Sequence, residues 1–139
     1  MNIKDIRDNY MIDYTQNLVS AEELKTLEEK TSCKFGLVLR EYLLTYGYIG
    51  FKSIEFYGIN SRQSEKSDLI TQTIYLHKYY PKTRGFVAFE NQGEGEYYLV
   101  DEFDRMFSYN SETDDLQEVK MNLVEYILKR LEEAFWHIL

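Results

Sequence analysis

Apolar residues recur along this chain at two spacings, and the change from one to the other marks out its elements. Phe35, Val38, Leu39, Tyr42, Leu43 and Tyr46 fall at i, i+3, i+4, i+7, i+8 and i+11, which is one face of a helix. Gly47 comes directly after, where a helix-terminating glycine belongs. Upstream, Ser20 and Glu23 have the spacing of a capping box. They open a helix in which Ala21, Leu24 and Leu27 share a face and which ends near Thr31-Ser32. Residues 3–10 suit a short helical turn. Residues 51–59 read as one strand, with Ile54, Phe56 and Gly58 on one side and Glu55, Tyr57 and Ile59 on the other. The polar run 60–67 is a loop in which Ser64 or Ser67 can cap a third helix. Leu69, Ile70, Thr73, Ile74, Leu76, His77 and Tyr80 give that helix its apolar face, and Pro81 stops it.

The chain is organised around Phe86-Val87-Ala88-Phe89-Glu90-Asn91-Gln92-Gly93-Glu94-Gly95-Glu96-Tyr97-Tyr98-Leu99-Val100-Asp101, which reads as strand, glycine turn, strand. The apolar runs stand further apart than a two-residue loop requires, which predicts a hairpin with a bulge or a longer turn. A short strand over 106–109 comes next, then an exposed turn over 110–115. Asn122 caps a final helix carrying Leu123, Tyr126, Ile127, Leu131, Ala134, Phe135 and Ile138. Two helices, a strand, a helix, three strands and a helix predict one α+β domain over residues 1–139, with helices packed on a mostly antiparallel sheet. A single domain also fits 139 residues.

Charge adds a feature that the pattern does not show. The net charge is −8. Residues 1–89 hold 12 basic and 11 acidic side chains, and residues 119–139 hold three of each. Residues 90–118 hold ten acids and one base, Arg105, so the excess lies in the hairpin and the connection after it. That distribution argues against direct nucleic-acid binding, which needs clustered Lys and Arg. It suits a basic partner, and it suits equally a solvated edge that keeps the protein soluble. Thirteen tyrosines and eight phenylalanines are many for this length; most serve the core, and a minority is left for a partner surface. A lone Cys33 excludes an internal disulfide and fits a reducing compartment. Residues 1–20 have no apolar run of signal-peptide length, and no stretch approaches a membrane helix, so a cytoplasmic location is expected.

Each candidate chemistry meets a plainer reading. Gly93-Glu94-Gly95 leads into a strand rather than a helix, and its glutamates would repel a phosphate, so it is a turn. His77 and His137 belong to no metal-spaced cluster. Cys33 lacks the signature of a nucleophile and reads as a small, partly buried hydrophobe. Glu90, Glu94, Glu96, Asp101, Glu102 and Asp104 contain the makings of a carboxylate pair or a calcium site, but their spacing matches no calcium loop and acidic clusters are generally solvated. No cofactor or metal is expected. The aromatics threaded through these acids would make a binding surface with a charged rim wherever they point outward.

The order of elements resembles the SUKH superfamily, shared by fungal cell-wall-assembly regulators and many bacterial immunity proteins. The resemblance runs over roughly residues 20–136. It rests on the Leu24/Leu27 helix, on Phe35-Gly36 with Leu39-Arg40-Glu41-Tyr42-Leu43-Leu44 and Tyr46-Gly47, on Phe56-Tyr57-Gly58-Ile59 and on the 86–101 hairpin. Phe35-Gly36 stands where members often carry Leu-Pro, and Gly47-Tyr48-Ile49-Gly50 where they carry Asn-Gly-Gly. The resemblance implies a non-catalytic cytoplasmic antidote that binds a cognate toxin domain, often a nuclease. A nuclease presents a basic cleft, which an acidic face can occupy. The expected contacts are Glu94, Glu96, Asp101, Glu102, Asp104, Glu112, Asp114 and Asp115, with Tyr97 or Tyr98 as anchors. A general interaction module without a toxin partner and a small carboxylate-dependent enzyme are the alternatives.

Overall fold

The capping box at Ser20 forms as its spacing requires: the Ser20 hydroxyl accepts from the Glu23 amide at 3.1 Å, and the Ser20 amide donates to Glu23 Oε1 at 3.2 Å. The computed structural model describes residues 2–15, 18–59 and 65–136. In chain order a 3-10 turn at Ile3–Asp5 runs into α1 (Ile6–Asn9), and then come β1 (Asp13–Tyr14), α2 (Ala21–Thr31) and α3 (Leu37–Thr45). The chain continues through β2 (Ile49–Phe51), β3 (Ile54–Phe56), α4 (Leu69–Tyr79), β4 (Val87–Gly93), β5 (Glu96–Val100), β6 (Arg105–Asn110), β7 (Asp115–Asn122) and α5 (Leu123–Trp136). The strands form two antiparallel sheets, β1-β2-β3 and β4-β5-β6-β7. This is an α+β domain.

The predicted helical stripe is the centre of the core. Leu39, Tyr42, Leu43 and Tyr46 of the α3 segment are fully buried, with Phe35 just ahead of the helix. Gly47 takes φ +71°, and Gly58 lets the chain pass so close that an added Cβ would lie 1.9 Å from the Gly47 carbonyl oxygen. The two sheets are tied where Tyr57 N donates to the Phe89 carbonyl at 2.7 Å. Phe89 sits at an irregularity in the β4–β5 register and stacks on Phe56 with ring centres 5.0 Å apart. Ile3 and Ile6 are buried in the same core.

Several expectations need correction. Residues 51–59 are not one strand. The chain reverses at Lys52-Ser53, with Lys52 at φ 56°, and Phe51 pairs with Ile54. Ile54 and Phe56 are buried and Glu55 is exposed, but Tyr57 and Ile59 are buried as well, because the chain leaves the strand after Phe56. Helix α4 is capped by Asp68, whose carboxylate accepts from the Thr71 amide. Ser67 instead donates to Glu55, and Ser64 lies outside the described residues, as do His137 and Ile138.

Strand β7 does not show in the residue pattern. It lies at the end of the strand order, so its outward positions Gln117, Glu118 and Lys120 are polar, and Lys120 at φ 62° breaks the alternation. The 86–101 hairpin does form. Its loop is the pair Glu94-Gly95, both at positive φ, and the bulge expected from the long separation lies within β4.

Helices cover both faces of the larger sheet. Tyr97 pairs with Tyr109, which packs on Tyr80 at the end of α4; Tyr98, on the opposite face, stacks on Tyr126 of α5. Asn122 and Glu125 form the capping box that starts α5.

Candidate partner-binding surface

The β4–β5 and β6–β7 turns lie side by side at one end of the larger sheet. The Ser111 amide donates to the Gly95 carbonyl at 2.9 Å, and Glu96 pairs with Asn110 in the ladder. Five of the expected contact residues meet at this end: Glu94, Glu96, Glu112, Asp114 and Asp115. Glu94, Glu112, Asp114 and Asp115 are exposed, and Glu96 is half-buried. Asp114 is also held from within. The Tyr109 hydroxyl donates to its carboxylate at 2.5 Å, and Lys82 Nζ lies 3.4 Å from Oδ2 and bonds the backbone carbonyl at 2.8 Å. The Tyr109 hydrogen bond, helped by Lys82, holds the Asp114 carboxyl below its usual range.

The other three acids sit at the β5–β6 turn, one five-residue strand away, a distance of roughly 17 Å at the usual rise. Two of them are used inside the chain. Asp101, 8% exposed, accepts from the amides of Phe103 and Arg105 and from Arg105 Nε at 2.7 Å. Asp104, also 8% exposed, closes the N-terminus of α3, accepting from Val38 N and Leu39 N, each at 3.0 Å. Burial raises the Asp104 carboxyl above its ordinary value against the pull of those two amides. Glu102 alone of the three is exposed. The acidic run is therefore two separate ends rather than one face. Asp101 and Asp104, adjacent in one turn, are spent on backbone donors and offer no free carboxylate pair.

The tyrosines divide in the same way. Tyr98 is held against Tyr126, ring centres 5.1 Å apart. Tyr97 is half-exposed on the α4 side, paired with Tyr109. Above it runs a series of rings in which the residue pattern singles out Tyr80 but not Tyr75 or Tyr79. Tyr80 packs on Tyr109 at 5.7 Å, Tyr75 on Tyr80 at 6.3 Å, and Tyr79 on Tyr75 at 5.0 Å. Tyr75 is 40% exposed and Tyr79 59%. A signal is present all the same: these two tyrosines fall off the apolar face of α4, so the core does not need them. Ile74, assigned to that face, is itself 46% exposed.

The remaining polar groups are structural. Cys33 is buried, its Sγ 3.6 Å from the Phe86 carbonyl and 3.9 Å from His77 Nε2. His77 Nε2 lies 2.7 Å from that same carbonyl, which can only accept, so this nitrogen carries the proton and is no base for the thiol. Burial pushes the thiol up to about 11, which keeps it protonated at neutral pH. Glu90, 2% exposed, accepts from the Tyr126 hydroxyl and from Arg130 Nε and Nη2, locking β4 to α5. Beside this lock is an open cleft of about 450 Å³ lined by Glu55, Tyr57, Lys66, Asn91 and Gln92 among others. Among the described residues no group of three or more His, Cys, Asp or Glu is placed to hold a metal ion, and no helix is long and apolar enough to cross a membrane.

A family model described as SUKH_5, SMI1-KNR4 cell-wall, matches residues 1–132. A solved structure titled as a protein from Pseudomonas syringae pv. tomato superposes with a TM-score of 0.56 at 20% identity, over 76% of this chain and 79% of that one. At that identity the likeness is one of fold. Comparison with curated proteins gives no match.

Proposed function

Because this chain belongs to the SUKH_5, SMI1-KNR4 cell-wall family, we propose that it is a non-catalytic binding domain, an immunity protein that neutralises a cognate bacterial toxin domain. The observation that carries the reading is the gathering of Glu94, Glu112, Asp114 and Asp115 on two adjoining turns, with exposed Tyr75 and Tyr79 linked to Asp114 through Tyr80 and Tyr109. Carboxylates at a rim steer a basic partner and set its orientation, while aromatic rings at the centre supply contact area with few rotamers to freeze. A nuclease cleft, built to hold phosphates, is a partner of that charge. Glu102 and Phe103, exposed at the far end of the sheet, lie outside the proposed contact. So do Asp101 and Asp104.

The test is co-expression with the product of the neighbouring upstream gene. Survival of the host and recovery of a one-to-one complex are the expected results. Survival lost in a Glu112→Lys/Asp115→Lys variant that still folds, but kept in Glu102→Lys, supports the turn end. Survival unaffected by the double reversal removes this surface. A toxin that kills equally with and without the protein removes the antidote reading and leaves a general interaction module.

A further inference from the structure

Tyr75 and Tyr79 stand one helical turn apart on α4, both exposed, with ring centres 5.0 Å apart. Large rings left in water together mark a contact surface. The Tyr75 hydroxyl is hydrogen-bonded to Tyr80, and Tyr97 lies near enough for both to act on it. Tyr75 is raised above its ordinary value by the neighbouring Tyr80 oxygen and Tyr97 by burial, so both keep a proton to donate at neutral pH. The charged groups around the rings are cations. Lys78 Nζ lies 5.3 Å from the Tyr79 ring centre. Arg84 folds back on the end of α4, where its Nε donates to the His77 carbonyl at 3.1 Å. Lys82 is paired with Asp114, but among the described residues neither Lys78 nor Arg84 has a carboxylate partner. Cations at the end of a helix complement its dipole, which accounts for Lys78 and Arg84 but not for the exposed rings beside them.

We propose that this end of α4 receives an acidic segment of a protein partner, its carboxylates taken by Lys78 and Arg84 and a neighbouring apolar side chain laid on the Tyr75–Tyr79 rings. The two unpaired cations and the donating hydroxyls select the sign of the occupant. The paired rings offer contact area with few rotamers to freeze, and so take an apolar side chain rather than a bare ion. Nucleic acid is also anionic, but it needs a row of Lys and Arg. Here one of three cations is already held by Asp114, on a chain of net charge −8. The site is opposite in sign to the acidic turns, and it goes beyond the toxin reading without resting on it.

The probe is the peptide acetyl-Glu-Phe-Glu-amide, compared with its Gln-Phe-Gln and Lys-Phe-Lys counterparts and with a short oligothymidylate. Each is titrated into the full chain at low salt and followed by NMR at the tyrosine rings and the amides of residues 78–84. The glutamate peptide is expected to shift the Tyr75 and Tyr79 ring signals with an apparent affinity about fivefold above that of the glutamine peptide, the size of two exposed ion pairs. The gap should close at roughly 0.5 M salt. Lys78→Gln and Arg84→Gln should each narrow it to about twofold. Tyr79→Ala should weaken the glutamate and glutamine peptides alike and leave their ratio unchanged. All three side chains are exposed, so the fold is retained in each variant. Glutamate and glutamine peptides that act alike, or a lysine peptide that binds best, would overturn the proposal. So would an oligothymidylate that binds more tightly than the glutamate peptide, which would make the site one for nucleic acid. Each of these results leaves the toxin reading to its own survival test.

Discussion

Asp104 closes α3 with one carboxylate and two backbone amides, and Gly36 exists to let it in: a Cβ there would lie 2.5 Å from the carboxylate atoms. Removing the acceptor in Asp104→Ala should lower stability by about 1–2 kcal/mol, read as a lower urea midpoint at unchanged slope. Asp104→Asn should cost less than Asp104→Ala but not be neutral: asparagine drops a buried charge and tolerates the φ of 62° found there, yet it keeps one acceptor oxygen for two amides and turns its NH2 toward the other. Asp114 gives a pH prediction. Its folded value lies below the usual carboxylate range, so its contribution to stability is complete above the unfolded value and is lost as pH falls through the folded one. An NMR titration should show Asp114 losing its charge at lower pH than a free aspartate, and Tyr109→Phe should move that titration up. Neither role was legible in the sequence. Acid after acid over 90–118 looked like one surface, and only the fold tells a carboxylate aimed at an amide from one aimed at water. Cys33 was largely legible: read as a small, partly buried hydrophobe, it is buried, with a protonated thiol.

At the scale of elements, the long periodic segments declared themselves and the short ones did not. The α3 stripe, the Ser20 and Asn122 caps and the 86–101 hairpin come from spacing and turn chemistry, which are local. The β2–β3 reversal at Lys52-Ser53 carries no glycine, asparagine or proline to announce it. Strand β7 is an outer strand whose polar face and Lys120 bulge hide the alternation. The ion pair between β4 and α5 is the strongest test of how the elements are joined. Arg130→Met leaves Glu90 buried without its cation and should cost about 3 kcal/mol, a fall in Tm of roughly 10 °C. Adding Glu90→Gln should recover much of that loss, since the amide still meets the Tyr126 hydroxyl and no buried charge remains. A double variant no better than the single would show that the pair is not what joins these elements.

At the scale of the whole molecule, the sheet puts its charge to use by folding. Of ten acids over 29 residues, eight gather at two ends of the sheet, one internally consumed apart from Glu102, the other presenting Glu94, Glu112 and Asp115 to solvent while Asp114 is held by Tyr109 and Lys82. A contact made by free carboxylates weakens with salt, because exposed charges are screened over about 10 Å at 0.1 M. The most direct test of this division is the affinity of the purified protein for the proposed toxin partner, the product of the neighbouring gene, at low and at high salt. It is made for the natural sequence, for Glu112→Lys/Asp115→Lys and for Glu102→Lys. A contact at the turn end predicts an affinity that falls steeply with salt, a double reversal that binds at least about tenfold more weakly at low salt, and a Glu102→Lys variant indistinguishable from the natural protein. An affinity indifferent to salt and to the double reversal, or one lost with Glu102→Lys instead, would contradict it.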